Sequence, residues 1–141
     1  MFHMVAEILK TKVGAQSGAR QQALITQQVR MARLQMGLRA MVRLWEEELD
    51  LVWEKVTGGI ELREGERAGA RMVAAQFARV CDDIANELAV SVGSRSIFNA
   101  SPVQRFRRDI NALATHAFFD HDHLASLYGR TLLGLDLPSM V

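Results

Sequence analysis

Between Arg20 and Thr57 the chain has no proline and a single glycine, Gly37, and its apolar residues return at helical spacing. Met31, Leu38, Trp45 and Val52 recur every seventh residue, flanked by Leu34, Met41, Val42, Leu49 and Val56. The pattern predicts one long amphipathic helix from Arg20 to about Thr57, with an apolar stripe that has to lie against other helices. Gly58 and Gly59 then supply the backbone freedom that commonly closes a helix end. Glu48 and Lys55 stand where a strict coiled coil would carry apolar groups, which favours the wider stripe of a bundle.

The remaining segments follow the same period. A second helix is expected from Leu62 or Arg63 to about Val92, its apolar face carried by Met72, Val73, Phe77, Val80, Ile84 and Leu88. Gly65 and Gly69 weaken its first turns by about 1 kcal/mol each relative to alanine. Gly93 and Ser94 end it, and a loop runs to Ala100. Ser101, Pro102 and Gln104 then form a capping box with proline at the first helical position. On that third helix Val103, Phe106, Ile110, Leu113 and Ala117 make the expected core stripe, and Arg105, Asp109, Ala112 and His116 a second line. A short fourth helix ends near Gly134. At the front, Val5 to Lys12 reads as a turn or two of helix, and Gly14, Ser17 and Gly18 make Lys12 to Ala19 a loop. No segment alternates long enough to be a strand. The fold class is therefore all-α, an up-and-down bundle of about four helices over residues 20–136, preceded by a short helix and loop over 1–19 and followed by a tail over 137–141.

Composition narrows the function. A chain of 141 residues that is 49% apolar and 23% charged buries one core. Its net charge of +1 provides no concentrated basic face for nucleic acid, and the arginines between Arg20 and Arg43, with no interleaved aromatic platform, read as a solvated helix face. Cys81 is the lone cysteine, so no internal disulfide forms, and its neighbours Val80 and Ile84 suggest an inert, buried thiol in a reducing compartment. The opening MFHMVAEILK lacks the charged and apolar regions of a signal peptide, and no later run reaches membrane-spanning length. The expected location is the cytoplasm, with no membrane partner. Trp45 and Trp53 suit a core or a subunit interface, and the surplus of apolar helix surface predicts an oligomer.

Few residues can carry chemistry. Asp109 and His116 are seven apart, so a continuous helix would point them the same way about 10 Å apart, beyond direct contact. Arg105 or Arg108 can pair with Asp109, most simply as a structural ion pair. His116 differs in kind, because imidazole donates, accepts or carries a proton near neutral pH. Asp120, His121, Asp122 and His123 are dense in ligand atoms, yet consecutive residues at a helix start diverge, and capping explains the aspartates better than a metal does. No metal site is expected, and no phosphate loop, nucleophile elbow or paired-cysteine motif is present.

Two long helices, the Gly93-Ser94 turn, SPVQRFRRD, a TH pair and finally LYGRTLLGLD together resemble the C-terminal helical domain of acyl-CoA dehydrogenase-like flavoproteins, most closely the flavin-dependent monooxygenases of the two-component hydroxylase branch. The resemblance covers most of the chain in helix order, with its specific motifs between Gly93 and Asp136. It implies that Arg108 and Asp109 match the family pair anchoring this helix, and that Gly93 and Ser94 sit where relatives bring a glycine-rich turn against the flavin of a neighbouring subunit. Ser94 replaces a second glycine of that turn. His116 matches the histidine that the monooxygenases hold beside the reactive edge of the flavin, where dehydrogenases carry a Tyr-Glu-Gly motif; here the residues are Thr115, His116, Ala117 and Phe118.

The implied activity is hydroxylation of an aromatic or heteroaromatic small molecule with O2 and reduced flavin, FMN or FAD, delivered by a flavin reductase. The implied assembly is a tetramer, and the family completes its flavin site with an N-terminal helical domain and a middle β-domain. Two other readings stand beside this one: a stand-alone helical self-association or protein-interaction module without catalysis, and the C-terminal domain of an acyl-CoA dehydrogenase.

Overall fold

The computed structural model describes residues 1–14, 18 and 20–138. Part of the expected Lys12 to Ala19 loop and the last three residues of the tail therefore lie outside the described residues. Among the described residues five α-helices follow in order: α1 (Phe2–Thr11), α2 (Ile25–Thr57), α3 (Glu64–Val92), α4 (Pro102–Ala114) and α5 (His121–Leu132). Short 3-10 segments stand at Gln21–Ala23, Ser94–Ile97 and Ala117–Phe119. Among the described residues the sole β pairing is an isolated bridge between Val13 and Arg20, so the all-α expectation holds. The chain divides into two compact units, Met1–Arg39 with Val80–Ala112 and Ala40–Arg79 with Leu113–Val141.

In the first unit, Val5 and Leu9 of α1, Leu34 of α2, Ile84, Leu88, Ala89 and Val92 of α3, and Val103 of α4 form one buried cluster. The front of the chain thus holds a ten-residue helix rather than a turn or two, because its apolar face meets this core. Helix α2 begins at Ile25, not Arg20. Arg20 is tied to Val13, and the Gln21 N–H donates to the Lys12 carbonyl at 2.8 Å, which holds residues 20 and 21 against the exit of α1 and delays the helix. Within this unit α2 and α3 run antiparallel, with Arg30 donating to Ser91 and Arg33 paired to Glu87.

The largest departure from expectation lies on α4. Only Val103 of the predicted stripe is buried there, while Phe106 and Leu113 are 43% and 54% exposed. The cause is the face that α4 turns to α3. Arg107 donates to Asn86 at 2.6 Å and Asn111 to Asp82 at 3.3 Å, so positions 103, 107 and 111, spaced by four, meet α3 through one apolar and two polar side chains. The Phe106 and Leu113 side is rotated away.

In the second unit, Ala75 of α3 packs with Leu124 and Leu127 of α5, joined by Met72 and Leu137. The Trp45 and Phe77 rings lie 5.5 Å apart, so the half-buried Trp45 packs against α3. Gly69 is explained by α5: a β-carbon there would lie 3.3 Å from the Tyr128 ring, so glycine lets α5 approach closely. On the outer side of α2, Leu49, Trp53 and Val56 share one face and are exposed, contrary to the core positions expected of Leu49 and Val56. Helix periodicity reports that a face is apolar, not what covers it.

Of the two polar residues in the apolar register of α2, Lys55 is held by Glu66 of α3, while Glu48 is half-buried without such a bond to it. Glu66 accepts from Arg63 Nη2 at 2.5 Å, from Lys55 Nζ at 2.7 Å and from the Arg63 backbone N–H at 3.0 Å. These bonds, the Arg63 side chain first, hold its carboxyl down to about 2. Glu48 moves the other way, raised by burial and then by Glu47 and Glu66. A depressed carboxyl adds stability above its ordinary value of about 4.3 and loses it as pH falls toward its folded value. Glu66→Gln is therefore expected to lower Tm at pH 7, with the two melting curves converging as pH approaches about 2. A constant Tm difference across that range would contradict the assignment.

Candidate functional site

The turn after α3 has a backbone that only glycine adopts readily. Gly93 has φ 77° and ψ −158°, a region closed to β-carbon-bearing residues except at a cost of about 1–3 kcal/mol. Ser94 follows it, exposed, and opens the Ser94–Ile97 segment, held by the Ser96 N–H donating to the Gly93 carbonyl at 2.9 Å. Ser96 is buried, while Ile97 and Phe98 present apolar side chains outward. The turn thus offers a hydroxyl and a small apolar face on a hydrogen-bonded backbone. These are groups that a planar, polar-edged ring can use, so the residues fit the flavin expected there.

Beside this segment lies an open hollow of about 320 Å³, lined by Asn86, Ser96, Ile97, Gln104, Arg107 and Arg108. Asp82 organises one wall: Asn86 donates to it at 3.0 Å, Asn111 donates to its other oxygen, and the Asn86 carbonyl accepts from Arg107. Arg108 is brought to the hollow together with Ser96. Its partnership with Asp109 is local and exposed, Nη2 to Oδ1 at 3.1 Å, and Arg105 approaches the other Asp109 oxygen at 3.7 Å, one helical turn away. The i,i+4 pairing expected on this helix is present, and the Arg108–Asp109 bond joins adjacent residues rather than two helices.

His116 lies in the second unit, and not on α4. The helix ends at Ala114, and His116 has an extended backbone, φ −67° and ψ 138°, at the head of the Ala117–Phe119 turn. The seven-residue alignment with Asp109 therefore does not apply, because it required a helix continuous through His116. The turn selects a tautomer of the neutral ring instead. Its Nδ1 accepts from the Phe118 backbone N–H at 3.1 Å. A backbone N–H only donates, so the proton of the neutral imidazole resides on Nε2, on an exposed side chain. Phe118 and Phe119 stand beside it edge to face, centroids 5.1 Å apart.

The Asp120 to His123 cluster separates as its position at a helix start predicts. Asp120 caps α5 by accepting from the His123 N–H at 3.0 Å. His121 turns inward, its Nε2 2.7 Å from Gln76 Oε1 and its Nδ1 3.0 Å from Arg79 Nη1. Asp122 Oδ1 also lies 3.3 Å from Nδ1, and through both ring nitrogens His121 serves as a link between α3 and α5. Its α3 partners lie more than forty residues away, so no local motif announces it. Among the described residues no three metal-ligating side chains converge, and no helix is long and apolar enough to cross a membrane.

Residues 1–121 match the family described as acyl-CoA dehydrogenase, C-terminal domain. The pigment production hydroxylase of Rhodococcus sp. (strain ATCC 21145) is 29% identical to this chain over 98% of its length, and the chain spans 41% of that relative. The oxygenase component of p-hydroxyphenylacetate 3-hydroxylase from Acinetobacter baumannii is 33% identical over 45% of the chain, which spans 15% of it. Among solved structures, XiaF from Streptomyces sp., in complex with FADH2 and glycerol, superposes over 99% of this chain and 36% of its own with a TM-score of 0.90 at 24% identity. That likeness is one of fold.

Proposed function

This chain belongs to the acyl-CoA dehydrogenase C-terminal domain family, and from that premise we propose that it is the self-associating, flavin-contacting helical domain of a flavin-dependent monooxygenase that hydroxylates an aromatic small molecule. The observation that carries the reading is His116, whose Nδ1 is occupied by a backbone N–H so that Nε2–H is the group offered outward. Similarity to two hydroxylases supports the reaction class, and the FADH2 bound to a protein of the same fold supports the cofactor, FMN or FAD. The oxygenase component among the relatives supports a separate flavin reductase as electron donor. The lone cysteine suits a cytoplasmic setting.

Reduced flavin supplies the electrons that activate O2. The chain's own residues orient and manage protons. The Gly93 backbone and the Ser94 hydroxyl would contact the ring, Arg108 and Asp109 hold the exposed side of α4, and His116 would donate a hydrogen bond from Nε2. Acting as a base would require Nε2 to lose its proton. In a neutral ring the proton would then move to Nδ1, against the Phe118 N–H, so the local geometry favours donation over abstraction. Phe118 and Phe119 provide an aromatic surface next to that donor, which suits an aromatic substrate.

The exposed face of Leu49, Trp53 and Val56 on α2 supports self-association, and the family fold favours a tetramer. Titration of the purified chain with FMN and with FAD, followed by flavin fluorescence, is expected to show saturable binding. Light scattering on the same sample is expected to give a mass that is a multiple of 15.8 kDa. A monomer that leaves flavin fluorescence unchanged would favour an interaction module or a non-catalytic domain instead.

A further inference from the structure

The final carbonyls of an α-helix have no partner within it and must be satisfied from outside. At the end of α3, the Ala89 and Val90 carbonyls both accept from the Gly93 N–H, at 3.1 and 3.0 Å. The Val92 carbonyl is met by a residue eighty positions away: Lys12 Nζ donates to it at 2.5 Å. Lys12 is itself fixed, since its N–H donates to the Ile8 carbonyl at 2.9 Å and its own carbonyl accepts from the Gln21 N–H at 2.8 Å. Its ammonium faces the negative end of the 29-residue α3, where a cation is favoured by the helix dipole. A β-carbon at position 93 would lie 3.0 Å from that same Nζ. Gly93 is thus confined by its own backbone angles on one side and by the lysine on the other.

We propose that Lys12 is a positioning residue, whose ammonium clamps the Gly93-Ser94 turn in the conformation that receives the flavin. This rests on the flavin-contacting role proposed above for that turn. Lys12 itself need not touch the cofactor; it acts by holding the Val92 carbonyl and the Gly93 backbone in place. A hydrogen bond from a charged donor is strong enough to shift a local opening equilibrium by about tenfold or more.

Lys12→Met keeps the length of the side chain and removes the donor and the charge. Amide hydrogen exchange at Gly93, Ser94 and Ser96 is expected to speed up about tenfold in this variant, while exchange in α5, in the other unit, stays unchanged. Flavin affinity, read from fluorescence titration of the same chain, is expected to weaken about tenfold in parallel. Lys12→Arg, which restores a cationic donor, should recover both, and Lys12→Gln, a neutral donor, should recover them partially. Unchanged exchange at the turn in Lys12→Met would overturn the inference, and so would faster exchange with undiminished flavin affinity. If the unsubstituted chain took up no flavin, the flavin reading itself would fail, and this inference with it; a chain that binds flavin equally well with and without Lys12 would remove this inference alone.

Discussion

His116→Ala in the flavin-loaded protein is expected to cut hydroxylated product by about 100-fold or more, the scale on which a positioned proton donor acts. O2 consumption should persist, with the missing product replaced by hydrogen peroxide, because the substitution leaves the flavin contact proposed at Gly93 and Ser94 in place. His116 is exposed and its imidazole accepts from the Phe118 backbone two residues on, so the variant should keep its fold, with a stability change within about 0.5 kcal/mol. His116→Gln retains a side-chain N–H donor and should recover part of the yield. Product yield per reduced flavin, measured alongside peroxide, separates the outcomes. Full product from the alanine variant would remove His116 from the chemistry, and equal loss in the alanine and glutamine variants would argue against donation as its role.

The long helices were legible because their evidence is repeated. Each inward position of α2, from Met31 through Leu34, Leu38, Met41, Trp45 and Val52, restates the same period, and Gly58-Gly59 marks the end where the structure has it. The site was less legible because it depends on relations that periodicity does not encode. Nothing between Asp109 and His116 breaks a helix by composition, yet α4 stops at Ala114, and the imidazole is aimed by the turn rather than by helical spacing. On α4 the apolar stripe was real in sequence but fully buried only at Val103, since the rest of the contact with α3 passes through Arg107 and Asn111. Long-range partners were invisible for the same reason: Lys12 meets Val92, and His121 meets Gln76 and Arg79, across separations that no local pattern spans.

Leu88→Ala is expected to be the most damaging core substitution. Leu88 is 1% exposed and belongs to the cluster in which Val5 and Leu9 of α1, Leu34 of α2 and Val103 of α4 converge on α3. Truncation there loses the transfer energy of the removed carbons and leaves a cavity that four helices cannot all close at once, a cost of about 3–4 kcal/mol. Against a typical total of about 5–15 kcal/mol, that is a large share of the fold's stability. Thermal or urea unfolding would read it directly, as a fall in Tm of about 10 °C. Phe106→Ala removes a larger side chain, but from the exposed edge of α4, and should cost about 1 kcal/mol or less in the isolated chain. The order of the two decides which face of α4 is structural: if Phe106→Ala proved the more destabilising, the Val103, Arg107 and Asn111 contact with α3 would not be what holds that helix. A second consequence follows from position, because Leu88 lies one turn before the Val92 carbonyl that Lys12 holds. Loosening the core at Leu88 should therefore loosen the Gly93 turn as well, whereas Phe106→Ala should leave it closed.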